Sequence, residues 1–219
     1  MKLCYVTDQK ALALSAGEQG RRLLQKVESA ARAGVDWIEI REKDLSGREL
    51  TVLVSEALKR IPRSCRILVN DRLDVALAAG AGGVHLAETS VSVEEAKRLL
   101  RERNFAGNFL VGVSGHSLEA VETAEKSGAD YAIFGPVFET PSKAGFGPPQ
   151  GVGRLAEVCR SVSIPVIAIG GITIANAREC AAAGVAGIAA IRLFQDATDV
   201  STIVRAFAER AESGIAESP

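Results

Sequence analysis

Short apolar runs and amphipathic stretches alternate along this chain from end to end. The runs are LCYVT (3–7), VDWIEI (35–40), RILVN (66–70), GVHL (83–86), FLVGVS (109–114), DYAIF (130–134), PVIAI (165–169) and GIAAI (187–191). Each is rich in Val, Ile and Ala, is bounded by Gly, Asp, Asn or Pro, and is too short for a helix. The stretches at 17–33, 46–60, 72–80, 91–103, 117–127, 151–162, 173–183 and 199–212 read as helices. Ser46 before Glu49, and Ser117 before Glu119 and Glu122, are helix-start signals. The segments AGVDWIEI, AGAGGVHL, SGADYAIF and AGVAGIAA echo one another, each with a helix-ending Gly suited to a left-handed cap. Helix–Gly–strand units without hairpin signals imply parallel strands. Eight of them predict an α/β fold, a single (β/α)8 TIM barrel forming one domain over 1–219. A doubly wound open sheet is the structural alternative.

Composition narrows the function classes. Of 219 residues, 47% are hydrophobic but only 5% aromatic, so the core must be aliphatic. Charges nearly balance, 26 Lys and Arg against 27 Asp and Glu, which leaves no basic footprint for nucleic acid or anionic membrane. No run of 18 apolar residues is present, and Asp8 interrupts any signal-peptide core, so a cytoplasmic protein without membrane partners is expected. Cys4, Cys65, Cys159 and Cys180 are widely spaced and form no CxxC pair, which reads as reduced core thiols rather than a zinc site.

In a (β/α)8 barrel, chemistry gathers at the C-terminal ends of the strands. The polar residues there are Thr7 and Asp8; Glu39, Arg41, Glu42 and Lys43; Asn70 and Asp71; His85 and Glu88; Ser114 and His116; Thr140, Ser142 and Lys143; and Arg192. Arg41, Lys43 and Lys143 supply positive charge on one arc. Gly170-Gly171 and the turn at Ile191-Arg192 offer backbone N–H groups near helix starts on the other, a phosphate-binding arrangement. A phosphate at Gly171 and a second anionic group near the three cations is the economical reading. Asp71 would then hold a divalent cation. Plainer readings stand beside these: a structural IGGI turn, a solvated Arg41-Glu42-Lys43 cluster, Asp71 as a cap of the third helix, and His85 as a hydrogen-bonded barrel residue. His116, in the polar run SGHS, is better placed for proton transfer. The long loop from Gly135 to Gly151 reads as a lid or binding loop.

The segments EIREKDLSG, ILVNDRLDVALAAGAGGVHL, VGVSGHSLEA, GADYAIFGPVFETPSK and IPVIAIGGIT resemble the thiamine phosphate synthase family and its relatives, the TenI-type thiazole tautomerases. The resemblance runs from YVTD to the last helix. It implies coupling of hydroxymethylpyrimidine diphosphate to thiazole phosphate, with release of diphosphate and help from Mg2+. It also implies roles for individual residues. Arg41 and Lys43 match a Gln-x-Arg-x-Lys element on the diphosphate side. Asn70 and Asp71 match an Asn-Asp pair whose Asp is a Mg2+ ligand, and Ser114 matches a strand-five Ser. Thr140 and Ser142 match Thr-Pro-Thr hydroxyls followed by a Lys at Lys143, and Gly170-Gly171 matches the thiazole phosphate turn.

Three positions depart from that pattern. Glu39 stands where the synthases usually carry Gln, and a carboxylate there would oppose a diphosphate. Ser90 stands where a second Mg2+ carboxylate usually follows, with Glu88 offset by two residues, so the metal is expected to be weakly held. Arg192 replaces a Ser at the thiazole phosphate. The loss of the second carboxylate resembles the tautomerase branch, in which His116 would be the catalytic residue. The expected activity is a thiamine phosphate synthase-like transferase acting on small phosphate and diphosphate substrates. A thiazole tautomerase and a non-catalytic thiazole phosphate-binding regulatory barrel are the alternatives, and a homodimer is compatible with the sequence.

Overall fold

Eight parallel strands close on themselves in chain order, β1 pairing with both β2 and β8. They are β1 (Lys2–Val6), β2 (Trp37–Ile40), β3 (Arg66–Asn70), β4 (Gly83–Leu86), β5 (Leu110–Gly115), β6 (Tyr131–Phe134), β7 (Val166–Ile169) and β8 (Gly187–Ala190). This computed structural model describes residues 1–12, 16–87, 89–105, 108–140 and 148–213. Helices α1 (Ala16–Ala33), α2 (Gly47–Leu58), α3 (Leu73–Ala79), α4 (Val93–Glu102), α5 (Leu118–Lys126), α6 (Gly151–Ser161), α7 (Ala177–Ala182), α8 (Arg192–Gln195) and α9 (Val200–Ser213) accompany them. The predicted (β/α)8 barrel is therefore the observed fold, and the open-sheet alternative is excluded. No helix among the described residues is long and apolar enough to cross a membrane.

Strand side chains alternate between two cores, as the two-residue period of a strand requires. Cys4, Val6, Leu68, Tyr131, Ile133, Ile167 and Ala189 fill the barrel interior. Leu3, Tyr5, Ile38, Ile40, Ile67, Val69, Val84 and Val111 point outward to the helices. This double burial explains why the strands read as nearly continuous apolar runs. The polar interruptions Glu39, Asn70, His85 and Ser114 all share parity with the interior set, so they face the barrel axis near the strands' C-terminal ends.

The local signals largely hold. Gly34, Gly80, Gly128 and Gly184, one from each echoed segment, all take positive φ. Ser46 and Glu49 form a reciprocal capping box on α2. Ser117 caps α5 through the Ala120 N–H, without either glutamate. A second capping box, Ser92 with Glu95, starts α4. The four cysteines are free thiols, three of them buried.

Two differences bear on the site. The helix expected from residue 173 begins at Ala177. Thr173 and Asn176 instead bond to each other's backbone N–H groups, and Asn176 Nδ2 donates to the Gly171 carbonyl at 3.0 Å, holding the preceding residues in a turn. The short helix α8 intervenes before the final helix. Gln195 pins it to the barrel, accepting from the Tyr5 hydroxyl at 3.0 Å and donating to the Asp8 carbonyl at 2.7 Å.

Candidate active site

The barrel mouth opens into a cavity of about 860 Å³. Glu39, Arg41, Lys43, Asn70, Ser114, His116, Thr140, Gly170, Gly171, Ile191 and Arg192 all line it. Eleven expected site residues thus meet in one place, although they are spread over 154 positions of sequence (39 to 192). Asp71 is exposed and does not line the cavity. Ser142, Lys143 and Glu88 lie outside the described residues, as does the middle of the expected lid, 141–147.

The β2 side carries two buried carboxyls. Glu39 is 2% exposed, and its carboxyl has no hydrogen-bond partner among the described residues. Burial pushes its carboxyl up to about 7, opposed by the charges of Arg41 and Lys43. Near neutral pH a large fraction is therefore protonated, which softens the expected clash with a diphosphate. Glu42 is also buried, so the reading of residues 41–43 as a solvated cluster fails at its centre. Its carboxylate accepts from the Thr7 hydroxyl at 2.5 Å and from the Gln9 N–H at 3.0 Å. Thr7 Oγ1 in turn accepts from the Arg41 N–H at 3.0 Å. The Glu42–Thr7 pair thereby ties the β1 loop to the backbone of a cavity cation.

Across the barrel, His85 is 3% exposed and sits between two hydroxyls. Nδ1 lies 3.2 Å from Tyr131 Oη, and Nε2 lies 2.9 Å from Ser114 Oγ. Burial lowers its pKa to about 3, so the ring is neutral. The reading of His85 as a hydrogen-bonded barrel residue holds. The Tyr131 ring fits because Gly112 faces it: a Cβ at Gly112 would fall 1.9 Å from the ring. His116 donates from Nδ1 to the Gly135 carbonyl at 2.5 Å, leaving Nε2 without a partner among the described residues.

The opposite arc is made of backbone. Gly170 and Gly171 have φ of +99° and +65°. A Cβ at Gly170 would sit 2.5 Å from Pro136 Cβ, and one at Gly171 would sit 2.4 Å from the Glu139 carbonyl oxygen. Both conformation and space demand glycine, so the IGGI turn is structural as well as cavity-lining. Its N–H groups belong to the turn and not to the start of α7. The helix start at this rim is that of α8, whose first turn leaves N–H groups unpaired within the helix.

Asp71 does not cap α3. Arg72 holds the cap position, with no side-chain cap bond. Asp71 instead takes φ +64° and accepts a short hydrogen bond from the Ser90 hydroxyl. Ser90 Oγ also accepts from the Ala87 N–H at 2.8 Å. One carboxylate beside one hydroxyl is an all-oxygen donor set suited to a hard cation that keeps most of its water. No group of three metal-ligating side chains gathers elsewhere among the described residues.

The sequence does not single out Tyr131, Gly112 or Gln195, and the alternative of a solvated Glu42 is overturned by its burial. Tyr131 stands within an apolar run, and its only signal was interior parity with Ile133. Glu42 gave none, because its partners lie more than 30 positions away.

Comparison with known proteins agrees with this architecture. Residues 3–194 match the family described as thiamine monophosphate synthase. Thiamine-phosphate synthase of Methanoculleus marisnigri is 40% identical over 201 residues, covering 91% of this chain and 92% of its own. That of Roseiflexus castenholzii is 38% identical over 208 residues, covering 94% and 86%. The solved thiamine phosphate pyrophosphorylase from Pyrococcus furiosus superposes with a TM-score of 0.81 at 33% identity, covering 97% of this chain and 96% of its own. A barrel mouth with an anion-compatible cavity and a sequence match across nearly all its strands lead to one assignment: the chain belongs to the thiamine monophosphate synthase family.

Proposed function

We propose that the protein is a thiamine phosphate synthase, a transferase that joins hydroxymethylpyrimidine diphosphate to thiazole phosphate and releases diphosphate. The observation that carries this reading is the family match across residues 3–194. Arg41, Lys43 and Arg192 around the same cavity support it.

In the reaction, the bond between the pyrimidine methylene carbon and the diphosphate oxygen breaks, and diphosphate leaves with the electron pair. The thiazole nitrogen lone pair then forms the new carbon–nitrogen bond. The protein's task is to favour departing negative charge and hold the two rings face to face. Arg41 and Lys43 act on the diphosphate, joined by Lys143 from the loop after β6. The Gly170-Gly171 turn and the first turn of α8, with Arg192, hold the thiazole phosphate. Thr140 and Ser142 offer hydroxyls to the substrates, and Asn70 and Ser114 line the pyrimidine side. Asp71, with Ser90, would hold Mg2+ weakly; when bound, that ion supplies positive charge to the leaving diphosphate.

The Nε2 of His116, without a partner among the described residues, favours a second reading, proton transfer as in a thiazole tautomerase. One experiment separates the readings: both activities are measured with and without EDTA. Mg2+-dependent coupling supports the synthase. EDTA-insensitive isomerisation with no coupling at saturating Mg2+ replaces it with the tautomerase, and binding of thiazole phosphate without turnover leaves a regulatory barrel.

A further inference from the structure

We infer that Tyr131 and His85 form a one-way hydrogen-bond relay that fixes the direction of the Ser114 hydroxyl and makes Ser114 a donor to a substrate acceptor atom. This rests on the reading of the mouth cavity as the active site. The relay runs from Tyr131 Oη to His85 Nδ1 at 3.2 Å, and from His85 Nε2 to Ser114 Oγ at 2.9 Å. Tyr131 is 1% exposed, and its ring packs 4.9 Å from that of Trp37. Among the described residues His85 is the only hydrogen-bond partner of the Tyr131 hydroxyl.

Two proton arrangements connect these three groups. In one, Ser114 donates to Nε2 and Nδ1–H donates to the tyrosine oxygen. The tyrosine proton then has no acceptor inside the barrel, a buried orphan that disfavours this form roughly tenfold or more. In the other, the tyrosine donates to the Nδ1 lone pair, Nε2–H donates to Ser114, and every buried proton is used. Burial holds the phenol well above its ordinary pKa, so Tyr131 keeps its proton. The second arrangement leaves one proton unspent, that of Ser114, and Ser114 lines the cavity.

The Ser114 proton is therefore available to a substrate acceptor atom, a ring nitrogen or a phosphate oxygen, while one lone pair of its oxygen is held by His85 Nε2–H. Tyr131 and His85 are positioning residues; Ser114 is the group that touches substrate.

The test begins without substrate. The protein is labelled with 15N-histidine, and ring nitrogen–proton correlations identify the tautomer. The only other histidine is His116, so a His116→Asn sample assigns the spectrum. A single His85 tautomer protonated at Nε2 is expected, and a proton on Nδ1 would overturn the relay. In Tyr131→Phe the bias should relax, with the Nδ1–H form appearing; an unchanged tautomer would also overturn it. If that variant does not fold, the wild-type spectrum still decides. In the coupling assay, Tyr131→Phe should lower kcat/KM roughly tenfold in the wild-type background and by nothing further in Ser114→Ala. Additive losses would count against the relay. An Nε2–H tautomer in a protein without coupling activity would overturn the functional reading and leave the relay standing.

Discussion

Glu39 and Glu42 lie three residues apart, are both buried, and have opposite surroundings. Glu42, at the rim between β1 and β2, has partners on both carboxylate oxygens, from the Thr7 hydroxyl and the Gln9 N–H. Glu39, on the inner face of β2, has none among the described residues and faces the cavity. Burial raises both carboxyls, but at Glu42 hydrogen bonds from Thr7 and Gln9 oppose the rise, while at Glu39 the charges of Arg41 and Lys43 do. The lesson is about where a fold keeps unmet polar demand. A buried group with all its bonds made belongs to the scaffold. One without such bonds among the described residues, at a cavity wall, stays open to whatever enters the cavity.

Arg41 sits between the two, and removing it should have the largest effect. Its backbone belongs to the Glu42 network, whereas its side chain lines the cavity. Arg41→Ala keeps the backbone bond to Thr7 and removes only the charge. Coupling kcat/KM should fall on the order of 10²–10³-fold, as when one preorganised electrostatic contact is lost, with the fold intact by circular dichroism. Wild-type turnover would remove Arg41 from the mechanism.

Glu39→Gln sharpens the comparison through pH. The folded-state pKa of Glu39 is raised, from an ordinary 4.5 to about 7. Its contribution to stability is fully present below pH 4.5 and is lost as pH rises through 7, because the buried charged form is disfavoured. At about 1.4 kcal/mol per pKa step, the cost above pH 7 is about 3 kcal/mol. Glutamine cannot ionise, so urea denaturation should show the variant more stable by about that much at pH 8 and no different at pH 4. Coupling by the wild type should decline through pH 7 as a charge appears beside the diphosphate, and that decline should be absent in the variant. Parallel pH–stability curves would show that Glu39 is solvated.

Glu42→Ala should do the reverse. It leaves the Thr7 hydroxyl and the Gln9 N–H without their buried acceptor, which costs about 1–3 kcal/mol. Thermal unfolding should report the loss at pH 7, with KM rising more than kcat falls as Arg41 loses its brace. An unchanged melting temperature would mean that the network contributes nothing.

What could be read from the sequence follows the same division. The eight strands, the four glycine caps and the Ser46 box rest on residues within about one turn of each other, so the chain states them locally. Most of the cavity wall was legible because polar side chains interrupt apolar runs at strand ends. The partnered groups were hidden. Glu42 in REK looks solvated, because Thr7 and Gln9 reach it only when β1 and β2 pair. Tyr131 looks like core until His85 is brought beside it from 46 positions away. Helix α8 depends on Gln195 bonding to residues 187 or more positions distant. Charge sign and strand parity reveal the open groups, but only tertiary pairing reveals the closed ones.

The smallest effect concerns a third carboxylate, Asp71, which is neither buried nor cavity-lining and, among the described residues, takes only the Ser90 hydroxyl as a side-chain hydrogen-bond partner. Ser90→Asp replaces that donor with a second carboxylate while keeping an oxygen for the Ala87 N–H. Without metal, two exposed like charges repel at a cost below about 1 kcal/mol, so the melting temperature should drop slightly. With Mg2+ the two carboxylates share one cation, and ligand charge raises affinity. Titrating Mg2+ should therefore recover the lost stability in the variant and change the wild type little. In the coupling assay, the Mg2+ concentration for half-maximal rate should fall roughly severalfold with kcat nearly unchanged, because substrate oxygens and water still complete the cation's shell. A variant that melts lower at every Mg2+ concentration and needs no less of it would place the metal elsewhere and return Asp71 to a purely structural role beside Ser90.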